Sequence, residues 1–196
     1  MRRDHSLPRR LQRGITMLEV LVSIAITVIG LLGLAALQAR IGVAEVESFQ
    51  RAQAVVLMQD MASRIAANRS NAMSYVTATP AGTGQASAVC TSLNGAARDL
   101  CEWNNELLGA AESTGGSKVG AMEGARGCVE AVSTTMPRQF RVSVVWQGMV
   151  QTVDPAVTTC GSGSYTDPKT RRAVSTVVQI GCLQNDPASL LCVSSF

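Results

Sequence analysis

Histidine is almost missing from this chain: of 196 residues one is histidine, His5. A Ser-His-Asp or Cys-His triad needs an imidazole inside the folded domain. His5 lies instead in an arginine-rich N-terminal stretch. There is no Gly-x-Ser-x-Gly and no phosphate-binding loop. Gly82-Thr83-Gly84 lacks the strand-then-helix context such a loop needs. No enzymatic activity is expected. A zinc site is disfavoured by the same shortage, since no Cys-x-x-Cys pair replaces the missing histidines. No metal or cofactor is implied.

Positive charge is also scarce beyond the N-terminus. The chain carries +3 overall, but Arg2, Arg3, Arg9, Arg10 and Arg13 against Asp4 put +4 into residues 1–14. The remainder holds about −1. No basic domain advertises a nucleic-acid partner. The small set Arg138, Arg141, Arg171 and Arg172 is what remains for one.

What the chain does have begins where the basic stretch ends. Gly14 precedes Ile15-Thr16-Met17-Leu18-Glu19-Val20-Leu21-Val22-Ser23, and no further charge occurs until Arg40. Residues 15–39 are long enough to span about 30 Å of hydrocarbon as a helix. The basic stretch before them stays cytoplasmic by the positive-inside rule. Three readings fit. The run is a secretory signal cut after Ala35, an uncleaved signal anchor, or an anchor released from its leader between Gly14 and Ile15. Two observations favour the last. An ordinary signal core is 7–15 apolar residues without a carboxylate. Cutting after Ala35 would also sever a helical pattern that continues.

That continuation spans residues 40–71, which have no proline and one glycine, Gly42. Val43, Val46, Ala54, Leu57, Met58, Met61 and Ile65 recur at three- and four-residue spacing, while Glu45, Glu47, Arg51, Asp60 and Arg64 fall elsewhere. One helix from about 15 to 70 is predicted, apolar all round at first and one-sided later. Residues 72–127 are rich in Ala, Gly, Ser, Thr and Asn. They predict an irregular connection with a short helix near 98–110, on which Glu102, Glu106 and Glu112 form a solvated face. From Cys128 the period becomes two. Segments 128–132, 140–146 and 172–180 predict three antiparallel strands with one apolar face packed on the amphipathic half of the helix. The fold class is α+β. The organisation is a leader at 1–14, a transmembrane and assembly helix at 15–39, its amphipathic continuation at 40–71 and a globular head at 72–196.

All six cysteines, Cys90, Cys101, Cys128, Cys160, Cys182 and Cys192, follow the apolar run. An even count on the exported side reads as three disulfides among 15 possible pairings. A three-strand meander would bring Cys128 and the loop containing Cys160 to one sheet end. This favours Cys128–Cys160, with Cys90–Cys101 and Cys182–Cys192 as local closures; free structural cysteines are the alternative.

Glu19 is the fifth residue after Gly14. A carboxylate in a bilayer costs about 2.5–3.5 kcal/mol at midplane. A new amine on Ile15 of a neighbouring subunit would be a natural partner for it.

The segment Gly14–Val22 resembles the class III signal of type IV pilins and the related pseudopilins. Residues 29–38 and 61–69 are similar to those of PilV-like minor pilins. The resemblance is specific over about 14–70 and loose beyond 72. It implies that prepilin peptidase cuts between Gly14 and Ile15 and that Ile15 is N-methylated. It also implies that Glu19 pairs with a neighbour's N-terminus, and that Cys182–Cys192 matches the C-terminal disulfide loop of major pilins. The expected product is a single-pass inner-membrane prepilin with a periplasmic head. Its partners would be other minor pilins, the major pilin and a tip adhesin, and it would prime assembly and end in the pilus, at the tip. Ile15 in place of the usual Phe, and no mid-helix proline, depart from bulk fibre subunits. A type II secretion pseudopilin, a DNA-uptake receptor pilin using the arginine set, and a membrane-anchored periplasmic enzyme are the alternatives.

Overall fold

The computed structural model describes residues 16–109, 113–114, 117–118, 122–135, 137–181, 184–185 and 192–193. The chain divides into two compact units, Met1–Ala44 and Glu45–Phe196. The described part of the first unit is helix. Helix α1 (Met17–Ala67) begins there and ends in the second unit. It starts because Thr16 caps it: the Glu19 N–H donates to the Thr16 carbonyl at 3.0 Å and to Thr16 Oγ1 at 3.3 Å. A threonine three residues before a glutamate is the arrangement of a capping box.

In the second unit α1 buries Ala54, Met58, Met61 and Ile65. A 3-10 segment (Arg69–Tyr75) follows, then strand β1 (Ala81–Gly82) and helix α2 (Gly95–Leu107). Helix α2 lies three residues earlier than its pattern predicts. It stops at Leu107, and Gly109, with φ +64°, takes the left-handed conformation that ends the turn. Strands β2 (Ser113–Thr114) and β3 (Ser117–Lys118) pair with each other.

Strands β4 (Arg126–Ser133), β5 (Arg138–Gln147) and β6 (Arg171–Ile180) make an antiparallel meander. Strands β7 (Gln184–Asn185) and β8 (Cys192–Val193) pair with each other. The main sheet has four strands in the order β1-β4-β5-β6, not three. The extra strand is a two-residue edge, too short to show any alternation in sequence.

Alternation places Phe140, Val142, Val144 and Trp146 on the core side of β5, with Val129 of β4 and Met58, Met61 and Ile65 of α1. Helix α2 joins this core through Trp103, whose indole N–H donates to the Leu57 carbonyl at 3.0 Å. Gly127 permits that approach: a Cβ there would stand 2.3 Å from the Trp103 ring and 2.7 Å from Leu107. The other sheet face is not left to solvent at its Cys128 end. Val145, Cys128, Cys160 and Tyr165 form a second small core beneath the loop joining β5 to β6.

Candidate functional site

The candidate site has two parts, the exposed start of α1 and the devices that fasten the head. Gly14 and Ile15 lie outside the described residues. Glu19 lies in the first turn, where its negative charge favours the helix N-terminus. Among the described residues it forms no ion pair. All large apolar side chains from Met17 to Ile41 are exposed. The two hydroxyls of this stretch satisfy themselves within the helix: Ser23 Oγ donates to the Glu19 carbonyl at 2.7 Å, and Thr27 Oγ1 to the Ser23 carbonyl at 2.8 Å. A helix that leaves no hydroxyl unpaired and shows an apolar surface all round suits hydrocarbon. By length and composition α1 can cross a membrane. No side chain or backbone stands within 4 Å of where a Cβ would sit at Gly30 or Gly33, so both are open for close approach by another helix.

From Glu45 onward α1 is held by the head. The stripe facing inward runs Ala54, Met58, Met61, Ile65, and Val46, expected in it, is exposed. Glu47 turns toward the head in its stead. Its Oε1 accepts from the Met149 N–H at 3.0 Å, the Val150 N–H at 3.3 Å and Arg172 at 3.0 Å. These links span more than a hundred residues of sequence, beyond the reach of local periodicity.

Arg64 ties α1 to α2. It pairs with Asp60 at 2.7 Å, Asp99 at 3.3 Å, Glu102 at 2.7 Å and Glu106 at 3.3 Å. Glu102 and Glu106 are therefore engaged rather than a free solvated face; Glu112 lies outside the described residues. Burial opposes the Arg64 charge, but hydrogen bonds to Glu102 and Asp60 and the nearby carboxylates outweigh it and hold the guanidinium protonated. Burial, helped by the Asp60 charge, raises the Glu106 pKa above its ordinary value. Hydrogen bonds from Arg64 and then Arg98 lower that of Glu102. Burial and a hydrogen bond to Asp99 raise that of Tyr75.

Three of the four arginines of the set, Arg141, Arg171 and Arg172, are engaged within the fold. Arg171 is 3 % exposed. It donates to Asp154 at 2.8 Å and to the carbonyls of Pro155 at 2.6 Å, Thr158 at 3.0 Å and Cys160 at 2.7 Å. Arg172 binds Glu47, and Arg141 pairs with Glu130 at 3.5 Å. These side chains organise their own loop and sheet.

Cys90 is bonded to Cys101, and Cys128 to Cys160, each pair with Cα atoms 5.8 Å apart. Cys182 lies outside the described residues, as does the side chain of Cys192. Beside the second disulfide a polar cleft of about 310 Å³ is lined by Thr77, Thr79, Thr159, Ser162 and Ser164. Its Glu130 is already engaged by Arg141 and Thr159. Among the described residues no group of His, Cys, Asp or Glu is arranged to hold a metal.

Two family models match stretches of the chain. The family model for type IV pilin Tt1218 matches residues 36–104, from the end of the exposed stretch of α1 through most of α2. The prokaryotic N-terminal methylation motif matches residues 9–35. No curated protein and no solved structure matches the chain.

Proposed function

We propose that this chain, which matches the family models for a type IV pilin and for the N-terminal methylation motif, serves as a minor pilin that primes fibre assembly and ends at the tip. Its motif is the substrate of prepilin peptidase, and its role is structural. In this reading the peptidase cuts between Gly14 and Ile15 and methylates the Ile15 amine. The exposed part of α1 then holds the chain in the inner membrane, with the head in the periplasm. On assembly Glu19 pairs with the N-terminal ammonium of a neighbouring subunit. An unpaired carboxylate in hydrocarbon is costly, so subunits that match charge to charge are selected at docking. Other minor pilins, the major pilin and a tip adhesin are the partners.

The observation that carries the minor-pilin reading is the unbroken α1. It runs from Met17 to Ala67 without the mid-helix proline of bulk fibre subunits, and Ile15 stands where those subunits have Phe. Mass spectrometry of the mature N-terminus tests the processing: methylated Ile15 is expected, and a start at Gln38 or later, or an intact Met1, overturns it. Quantifying the chain in sheared fibres tests the subtype. A trace component whose loss abolishes piliation supports it. Loss of enzyme secretion with pili intact assigns the chain to type II secretion instead. Abundance equal to the main subunit assigns it to the fibre shaft.

A further inference from the structure

The loop joining β5 to β6 is fixed from within yet apolar at its surface. Buried Arg171 holds it at Asp154, Pro155, Thr158 and Cys160. Arg172 donates to Thr152 Oγ1 and to the Val150 carbonyl, each at 2.7 Å. The Gly148 and Thr152 N–H groups donate to the Thr170 and Lys169 carbonyls, each at 2.8 Å. A loop held this way has already lost its conformational freedom, and its backbone groups find partners within the head. What it turns outward is Met149, Val150, Val153 and Val157, which are 57, 47, 87 and 51 % exposed. No other stretch of the described head beyond α1 shows four exposed large apolar side chains within nine residues. Exposed valines scattered singly are ordinary, but a cluster on a preorganised loop marks a contact surface.

The loop sits at the end of the head where the chain enters it. Glu47, two residues after the unit begins at Glu45, accepts from the Met149 and Val150 N–H groups and from Arg172. Glu47 is seven residues beyond Arg40, the first charge after the apolar run. At 1.5 Å per residue of helix, that is about 10 Å of chain. The polar interface of a bilayer is itself about 5–8 Å deep on each side of the hydrocarbon. The charges beside the loop suit that layer. Glu47 and Asp154 are matched by Arg172 and Arg171, at 3.0 and 2.8 Å. Asp167 accepts from Gln151 Nε2 at 2.7 Å and from the Lys169 N–H at 2.9 Å. The opposite end of the sheet, where Ser133 pairs with Gln139, lies eight residues of β5 away from Gln147, about 27 Å at the rise of a strand.

We propose that the β5–β6 loop is a lipid contact: Met149, Val150, Val153 and Val157 enter the periplasmic interface of the membrane that α1 spans and seat the head on the bilayer before assembly. The inference rests on the reading that residues 15–39 anchor the chain in the inner membrane. The bilayer is the apolar surface that this tether keeps beside the loop. Tethering makes the contact intramolecular, so four side chains suffice where a free loop of this size would not stay bound. A protein partner is the poorer match. Anchors of protein interfaces are enriched in Trp, Tyr and Arg and poor in Val. This loop presents aliphatic tips, and its two arginines are turned inward. Such a surface is suited to lipid, which needs no complementary groove.

Fluorescence quenching of the full chain in vesicles of phosphatidylethanolamine and phosphatidylglycerol tests this. A fluorescent amino acid replaces Leu31, Val132 or Val153 in turn. The quencher is a nitroxide on the lipid acyl chain, near the headgroup for Val132 and Val153 and near the chain end for Leu31. Val132 is 45 % exposed and lies at the far end of β4. Emission from position 153 should fall about threefold in nitroxide vesicles, as for a segment at the boundary of headgroups and acyl chains, while that from position 132 stays unchanged. Met149→Ser combined with Val150→Ser should restore most of the emission at position 153. Both side chains are exposed, so the urea midpoint of the head should not move. Quenching at position 31 without quenching at position 153 overturns the proposal alone. No quenching at position 31 overturns the anchored reading and the proposal with it. Equal quenching at position 132, or a signal at 153 indifferent to the two serines, also overturns the proposal. So does a position 153 shielded only as the protein-to-lipid ratio rises, which assigns the loop to a neighbouring subunit.

Discussion

Residues 17–44 and 45–67 of α1 belong to one helix but answer to different surroundings. The first stretch is apolar all round and exposed, with its hydroxyls closed on its own carbonyls. The second buries one stripe and is fixed by Trp103, Arg64 and Glu47 to a disulfide-bonded head. The difference teaches what each stretch was selected against. Continuous apolar surface without a protein core requires cover from outside the chain. Apolar surface at three- and four-residue spacing requires cover from within.

Substitutions on either side of that boundary should separate the two. Met61→Ala deletes a fully buried side chain and should cost about 2–5 kcal/mol in urea unfolding of the head. Leu31→Ala, in the exposed stretch, should leave that transition in place; a comparable loss there would break the comparison. Replacing Cys128 and Cys160 together by serine opens a loop with a sequence separation of 32 and should cost about 2–4 kcal/mol, read from the thermal midpoint with and without reductant. Gly127→Ala pushes a Cβ into the Trp103 ring and should cost about 1–3 kcal/mol, accompanied by a change in Trp103 fluorescence. Gly30→Ala meets open space and should leave the head's stability unchanged.

The exposed half of α1 and the three long strands were legible because their signals are local: an apolar run with one carboxylate, then alternation at period two. Glu47 and Arg171 were not. A polar residue in a helical pattern reads as outward, and an arginine at a strand start reads as a surface cation. Each is turned inward by partners far away in sequence, which no window of neighbouring residues contains. Strand β1 was invisible for another reason. Its pairing is set by Gly127 and Arg126 across the sheet, not by its own two residues. The same limit applies to the candidate site. Glu19 could be singled out as one charge in a continuous apolar run, whereas the carboxylate cluster on Arg64 needed the fold to bring α2 against α1.

That cluster gives the smallest effect and the finest contrast. Glu102 and Glu106 lie one turn apart on α2 and respond to pH with opposite signs. Burial and then the Asp60 charge raise the folded pKa of Glu106 above 4.5, so its contribution is full below the unfolded value and is lost as pH rises through the folded one. Glu106→Gln should therefore raise the urea midpoint at pH 7 and change it little near pH 4. Arg64 and then Arg98 lower the folded pKa of Glu102 below 4.5, so its contribution is present at pH 7 and lost as pH falls through the folded value. Glu102→Gln should lower the midpoint at pH 7 and converge on the parent chain in acid. Both changes in midpoint should be small because the side chains are partly solvated. Glu19→Gln should move the midpoint at neither pH, since Glu19 has no ion pair among the described residues and lies outside the unit that unfolds. A pH-dependent change there would mean that the apolar half of α1 is coupled to the head, and that the boundary near Ala44 is not an energetic one.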